Sequence, residues 1–406
     1  MNICLIHYAA PPIIGGVESV IGEHARLMAD HDHKVSLIAG RGEQTDERIQ
    51  FVKMPLVDSR DKEILAIKKD LDHGRIPDRF YKIVDQIKSQ LLDVVSEADW
   101  LIAHNVCSLN KNLAVTAALK QISEEHLRPH FILWHHDLAW TTPRYRSELH
   151  NGYPWELLST DWPDATQVVV SEPRRKELAR LLKVTDDRIR IVPNGVDANR
   201  FWKLAGETES ICRQLDLFSA DPLILLPVRI TPRKNIEFAL KLLVSLSKEF
   251  KNAKLVVTGP LGPHNPANVQ YYEHLIGMRR EEQIENNLLF LTELIDHPMD
   301  DEVIADLYRI SDVLFYPSKE EGFGIPILEA GLAGIQVFCA DIAPLRELGG
   351  SQVNYFGLND NPNQVAEQMI KSLRSSHRYI LRKRVLRDYT WEKIYSDHIL
   401  PLIAER

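Results

Sequence analysis

No two cysteines of this chain stand in a CxxC pair, and Cys4, Cys107, Cys212 and Cys339 are widely scattered. Three lie in apolar runs, where a thiol is most simply a small buried hydrophobe, as expected in a reducing compartment. HExxH is absent, and no Cys/His spacing supplies a zinc site. GxxxxGKS is absent too, which leaves an ATP-type phosphate cradle unsupported, and so is the GxGxxG dinucleotide fingerprint. No window approaches the roughly 18 continuous apolar residues of a spanning helix. The amino terminus has no charged stretch ahead of a long apolar one, so no secretion signal is expected and a cytoplasmic location is. Shallow membrane association stays open. Lys and Arg form no long block, and the formal charge is -8, so a nucleic-acid partner is not expected; phosphate can still be bound locally.

What is present begins with length. The 406 residues are too many for one compact core and suit two domains, while 44% apolar and 26% charged residues are ordinary for a globular chain. MNICLIHYAA reads as a strand, PPIIGGVE as a turn, VESVIGEHARLMADH as an amphipathic helix and KVSLIAG as the next strand. That β-loop-α-β unit predicts a parallel sheet with helices on both faces. WLIAH, FILWHH, QVVVSE and RIRIVPNG are further strand candidates with polar residues at their carboxyl ends, where ligands of open α/β sheets gather. After a polar interval the rhythm restarts at PLILLPV and continues through AKLVVTGP, NNLLFL, DVLFYPS and IQVFCA. The expected domains are 1–200, 201–380 and a carboxyl-terminal helical segment, 381–406.

Several stretches carry candidate chemistry. In EGFGIPILEAGLAG, Gly322 and Gly324 permit a tight turn, Pro326 suits the first helical position, and Glu321 and Glu329 frame the helix start. Backbone N–H groups there can meet phosphate, and a carboxylate can accept from two neighbouring sugar hydroxyls. The competing reading is a helix start with acids at its positive end. VRITPRK places Arg229, Arg233 and Lys234 around a turn ahead of a helix, which suits a diphosphate, although solvated turn charges are the plain alternative. IIGGVES offers the Gly15 and Gly16 amides to a ligand. WHHDLAW sets His135, His136 and Asp137 directly after an apolar strand, either as structural groups or as contacts to a bound sugar. SEPRRKEL puts cations at a helix start, against the usual preference, so Arg174 is a candidate acceptor or phosphate contact. The stretch TTPRYRSELHNGYPWELL, with Arg144 and Arg146, reads as an aromatic lid or as part of an acceptor wall.

The order and spacing of these motifs resemble the large family of retaining glycosyltransferases with two Rossmann-like domains, the glycogen-synthase-like and mannosyltransferase-like group of glycosyltransferase family 4. The resemblance rests on the R-x4-K of VRITPRK, the E-x7-E of EGFGIPILE, IIGGVES, the HD of WHHDLAW and VPNGVD, and it runs from about residue 1 to about residue 395. It implies an α/β fold of the GT-B type, two Rossmann-like α/β/α domains facing across a cleft. It also implies roles: Arg229 and Lys234 on the donor diphosphate, Glu329 on the ribose, Glu321 on the transferred sugar, Gly16 near the diphosphate and His136 on the sugar. Phe323 lies within the same donor loop, Gly15 beside Gly16, and Asp137, Arg144 and Arg174 on the acceptor side. The doubled His135-His136 departs from the family pattern.

The implied activity is transfer of mannose or glucose from a nucleoside-diphosphate sugar, GDP-mannose ahead of UDP-glucose, to a hydroxyl of a small acceptor, either a sugar or a glycerate-type compound, with an acidic one in view. No metal cofactor is expected, because prearranged cations and backbone donors can stabilise charge on the leaving phosphate. Glu321 also invites a double-displacement reading, and paired carboxylates occur in hydrolases. A lipid-linked or polysaccharide acceptor, a hydrolase or epimerase on the same fold, and a non-catalytic nucleotide-sugar-binding module are the alternatives.

Overall fold

Apolar runs too continuous to alternate between a wet and a dry face end up in parallel strands covered on both sides. The computed structural model describes residues 1–125, 128–261 and 266–404 of the chain. They form two α/β units: Met1–Val196 together with the segment from Trp391 onward, and Asp197–Thr390.

The first unit is built on a seven-stranded sheet. Its strands are β1 (Asn2–Ala9), β2 (Lys34–Arg41), β3 (Ile49–Lys53), β4 (Trp100–His104), β5 (His130–His135), β6 (Ala165–Val169) and β7 (Ile189–Ile191). The spatial order is β3-β2-β1-β4-β5-β6-β7, and every pairing is parallel. Strand periodicity sends alternate residues to opposite faces. Accordingly Cys4, Ile6 and Tyr8 join one core, while Ile3 and Leu5 join another. The helix Gly16–Asp30 packs Val20, Ile21, Leu27 and Met28 into the second of these.

The second unit carries a six-stranded sheet. It comprises β8 (Leu223–Leu226), β9 (Lys254–Val257), β10 (Leu288–Phe290), β11 (Val313–Tyr316), β12 (Gln336–Ala340) and β13 (Asn354–Phe356). Its order is β10-β9-β8-β11-β12-β13, again parallel throughout. All four residues of β8 are buried, which is why LILL shows no polar alternation.

Strand order reverses between β1 and β4 in the first unit and between β8 and β11 in the second. In open α/β sheets such switch points leave a crevice at the carboxyl ends of the strands, where ligands bind. The glycine loop follows β1 and the WHHD loop follows β5. VRITPRK follows β8 and EGFG follows β11.

The carboxyl-terminal segment falls into two parts. The helix His377–Asp388 stays with the second unit, where Lys383 pairs with buried Asp312 at 2.5 Å and Arg382 donates to the Ser311 carbonyl at 2.9 Å. From Trp391 the chain packs on the first unit: Trp391, Ile394, Tyr395, Ile399 and Ile403 share a core with Ile3 and Leu5, and Trp100 donates to the Ile403 carbonyl at 3.0 Å. Gly195 makes the junction possible, since a Cβ there would lie 2.7 Å from the Trp391 ring. Among the described residues no helix is long and apolar enough to cross a membrane.

Candidate active site

In the second unit the chain leaves β8 through Pro227–Pro232 and enters a short helical turn, Pro232–Lys234. Asn235 then takes a left-handed conformation, φ 55°, and starts the helix Ile236–Glu249. This loop is stitched to the one after β11: the Lys319 amide donates to the Arg233 carbonyl at 2.8 Å, and the Asn235 side chain to the Pro317 carbonyl at 3.2 Å. The two proposed motifs thus form one surface on adjacent strands.

Lys234 is buried and pairs with Glu321 through a short hydrogen bond. Its ammonium also lies 3.3 Å from the Tyr316 hydroxyl, which in turn donates to Glu321 at 2.6 Å. Burial raises the Glu321 carboxyl, but the hydrogen bonds from Lys234 and Tyr316 outweigh it and hold the group below its ordinary range. Burial and the bond to Glu321 push the Tyr316 phenol up, so it remains a donor. An ammonium has three protons, and Glu321 and Tyr316 engage two. The third is available to a ligand oxygen. The Arg233 guanidinium stands 4.0 Å from the other Glu321 oxygen. Arg229 is exposed and makes no hydrogen bond or ion pair among the described residues.

The helix Ile325–Ala333 begins after Gly324, and Pro326 falls at its second position, not its first. Gly322 and Phe323 are exposed ahead of it. Glu329, half-buried, accepts from Tyr308 at 2.6 Å and is not bonded to the Lys234 cluster. Burial and that hydrogen bond push the Tyr308 phenol up. Each framing acid is therefore held by a tyrosine that the sequence reading missed. Tyr316 ends a strand, a position where polar groups deserve scrutiny; Tyr308 sits on the buried face of the helix Asp301–Ile310 and reads as ordinary core.

In the first unit Gly15 caps the helix Gly16–Asp30 in an extended conformation, and Gly16 has open space around its Cα. Glu18 folds back over Gly15: a Cβ there would sit 2.1 Å from the carboxylate. After β5, the amides of His136 and Asp137 donate to the Asn105 side chain at 2.8 and 3.2 Å, and His136 Nε2 lies 3.2 Å from His104 Nδ1. Burial, then His7 and His135, push His136 down to about 3, so the imidazole is neutral at physiological pH.

His135 points elsewhere. It is buried and bonds Gln167 at 2.7 Å, and burial lowers it to about 4. Of the doubled pair, His136 is the half-buried one. Among the acceptor candidates, Arg174 pairs with Glu177 at 2.6 Å and with Asp137 at 3.5 Å. The cations of SEPRRKEL are thus compensated by Glu172 and Glu177 of their own helix. Arg144 is exposed and lies over the Tyr145 ring. Farther along that stretch Trp155 and Leu158 are buried, most of the other residues are exposed or half-buried, and Trp140 just before it donates to the Trp155 carbonyl at 3.1 Å. Among the described residues no three His, Cys, Asp or Glu side chains are grouped as a metal site.

Two Rossmann-like parallel-sheet units make up the GT-B fold class. The family described as Glycosyltransferase Family 4 matches residues 14–200, and the one described as Glycosyl transferases group 1 matches residues 207–386. The chain belongs to this glycosyltransferase family. It is 27% identical over 377 residues to mannosylglucosylglycerate synthase of Petrotoga mobilis, covering 85% of each chain. With the Thermotoga maritima protein of the same name it shares 23% identity, covering 85% of this chain and 83% of that one. Sucrose-phosphate synthase from Thermosynechococcus elongatus, a solved structure, aligns over 100% of both chains with a TM-score of 0.39 and 14% identity.

Proposed function

We propose that the protein is a retaining hexosyltransferase that moves mannose from GDP-mannose, or glucose from UDP-glucose, to a hydroxyl of a small acidic acceptor of the glycerate type. The observation that carries this reading is the buried Lys234–Glu321–Tyr316 cluster at the carboxyl ends of β8 and β11, with exposed Arg229 in the same loop as Lys234. Lys234 and Arg229 take the donor diphosphate, and Glu321 accepts from the transferred sugar's hydroxyls. Glu329, oriented by Tyr308, accepts from the ribose. The Gly16 amide and the neutral His136 serve the diphosphate and the sugar, with Gly15, Gly322, Phe323 and Gly324 shaping the loops around them.

In the reaction, the bond from the sugar's anomeric carbon to the phosphate oxygen breaks while a bond to the acceptor oxygen forms on the same face. The acceptor's proton passes to the departing phosphate. Lys234, already fixed in a buried cluster, favours that charge separation without reorganising. The acidic acceptor is supported by the similarity to two mannosylglucosylglycerate synthases over 85% of this chain and by exposed Arg144 and Arg146. Asp137 and Arg174 hold one another and shape that side. The chain is assigned to the cytoplasm.

The test is calorimetric titration with GDP, UDP and ADP without added metal. It is followed by incubation of GDP-mannose or UDP-glucose with glycerate and with glucosylglycerate, and proton NMR of the product. One nucleotide should bind selectively, and the product should keep the donor's anomeric configuration. Inverted product would refute retention, free hexose formed at the transfer rate would mark a hydrolase, and binding without turnover on any acceptor would leave a nucleotide-sugar-binding module.

A further inference from the structure

Asn105 follows β4 directly and holds a left-handed conformation, φ 58°, that asparagine tolerates better than most residues. Its own amide donates to the Trp134 carbonyl at 2.9 Å. Its side-chain oxygen accepts from two successive amides of the next loop, His136 at 2.8 Å and Asp137 at 3.2 Å, and only 2% of the residue is exposed. One buried side chain thus satisfies two donors of the loop that carries the candidate sugar contact.

His104, the last residue of β4, is buried and stacks on His136 with ring centroids 5.5 Å apart. Its backbone carbonyl accepts from His7 Nδ1 at 2.7 Å. Its Nδ1 meets His136 Nε2, whereas its Nε2 has no hydrogen-bond partner among the described residues and the ring lies beside His24 and Trp134. A proton on Nε2 would be an orphaned buried donor, the costlier of the two arrangements. The proton therefore belongs on His104 Nδ1, donated to His136 Nε2, and neutral His136 carries its own proton on Nδ1.

We propose that Asn105 and His104 are positioning residues for His136: Asn105 fixes the loop backbone and His104 fixes the imidazole tautomer, so that His136 offers an Nδ1–H donor to a ligand oxygen. The donor's target rests on the role given to His136 above; the tautomer and the loop anchor do not.

The two parts are tested separately. In the ligand-free protein with 15N-labelled histidine, His136 should show a protonated Nδ1 and an unprotonated Nε2, and His104→Leu should abolish that preference while His104→Asn, which keeps a donor near the Nδ1 position, restores it. A protonated Nε2 on His136 in the parent protein overturns the tautomer assignment. In turnover of GDP-mannose and UDP-glucose with glucosylglycerate, Asn105→Gly keeps the left-handed backbone but removes the acceptor. It should lower kcat at least tenfold with KM for the donor changed less than threefold. Asn105→Asp, which keeps the acceptor, should recover most of that loss. Equal kcat in Asn105→Gly and the parent overturns the loop anchor. His136→Ala reports on the underlying reading: full activity there removes the sugar contact, and the NMR result still decides the positioning.

Discussion

Tyr308 donates its hydroxyl proton to one oxygen of Glu329 across 2.6 Å, from a helix on which nothing else marks it as functional. The bond orients the carboxylate through one oxygen, and on the proposed function the other would accept from a ribose hydroxyl. A hydrogen bond to a charged group is worth about 1.5–3 kcal/mol, of which orientation is a part. Tyr308→Phe should therefore weaken binding of the cognate nucleoside diphosphate roughly fivefold to twentyfold, and Glu329→Ala should weaken it more. Calorimetry at one pH measures both. Undiminished affinity in both variants would rule out the ribose assignment; loss in Glu329→Ala alone would rule out the orienting role of Tyr308.

Lys234→Ala touches stability as well as catalysis. Each side chain of the Lys234–Glu321 pair is only 9% exposed. Removing one partner of a buried pair strands the other's charge, at a cost on the order of 3–5 kcal/mol, whereas removing both often costs less. Lys234→Ala should thus melt well below the parent, and Lys234→Ala/Glu321→Ala should melt above the single variant. At a temperature where both remain folded, turnover should fall at least a hundredfold, the scale of losing one preorganised transition-state contact. A Lys234→Ala protein with the parent's melting temperature would contradict the buried pair, and one with the parent's rate would end the catalytic role.

What the sequence makes legible follows from where the free energy lies. LILL, VVV and VLFY must be buried on both faces, so they read as parallel strands, and the motif loops follow from their carboxyl ends. β3 and β13 escaped because IQFVK and NYF are short and partly polar. Local spacing placed Arg229, Lys234 and Glu321 in the loops after β8 and β11, and Glu329 in the helix that follows the second of them. It gave no hint of Tyr308 against Glu329, Asn105 against the His136 amide or Arg174 against Asp137, since each contact joins elements distant in sequence. In the aromatic stretch after β5, Trp155 and Leu158 are core residues on a 3-10 turn, and a turn of that pitch has no helical stripe to reveal which side is buried.

Acid should destabilise the first unit earlier than its carboxylates would. Burial is the leading cause that lowers His7 and His135 to about 4, His24 and His136 to about 3, and His104 well below its ordinary value. Glu18 pulls His7 up and Lys111 pulls it down, both less than burial. Unfolded histidine titrates near 6.5, so between that value and the folded ones the unfolded chain binds more protons. The stability held by neutral histidines is complete above about pH 6.5 and is lost as pH falls toward 4. Each histidine contributes a slope of about 1.4 kcal/mol per pH unit inside that window. Calorimetric unfolding at pH 5.5, in buffers of differing ionisation enthalpy, should show uptake of several protons per molecule and a marked fall in Tm from pH 7.5. Uptake of fewer than one proton would mean these histidines are not buried neutral.

The two glycines of the EGFG turn should separate fold from binding. Gly324 has φ +114°, and a Cβ there would lie 2.5 Å from Leu345 Cδ2. Both the backbone strain and the overlap oppose any side chain, at a combined cost of roughly 2–4 kcal/mol. Gly324→Ala should lower Tm by several degrees. Gly322 carries no positive φ, and a Cβ there would meet nothing within 4 Å. The protein alone therefore gives no reason for glycine at 322, and Gly322→Ala should melt within about a degree of the parent, as an exposed substitution does. On the proposed function a ligand would supply the reason: with the backbone at 322 against the donor, an added methyl would stand between them, and nucleoside-diphosphate affinity should fall tenfold or more in a protein of normal stability. Unchanged affinity in Gly322→Ala would place the donor away from this turn, and an unchanged Tm in Gly324→Ala would show that the turn can relax at no cost.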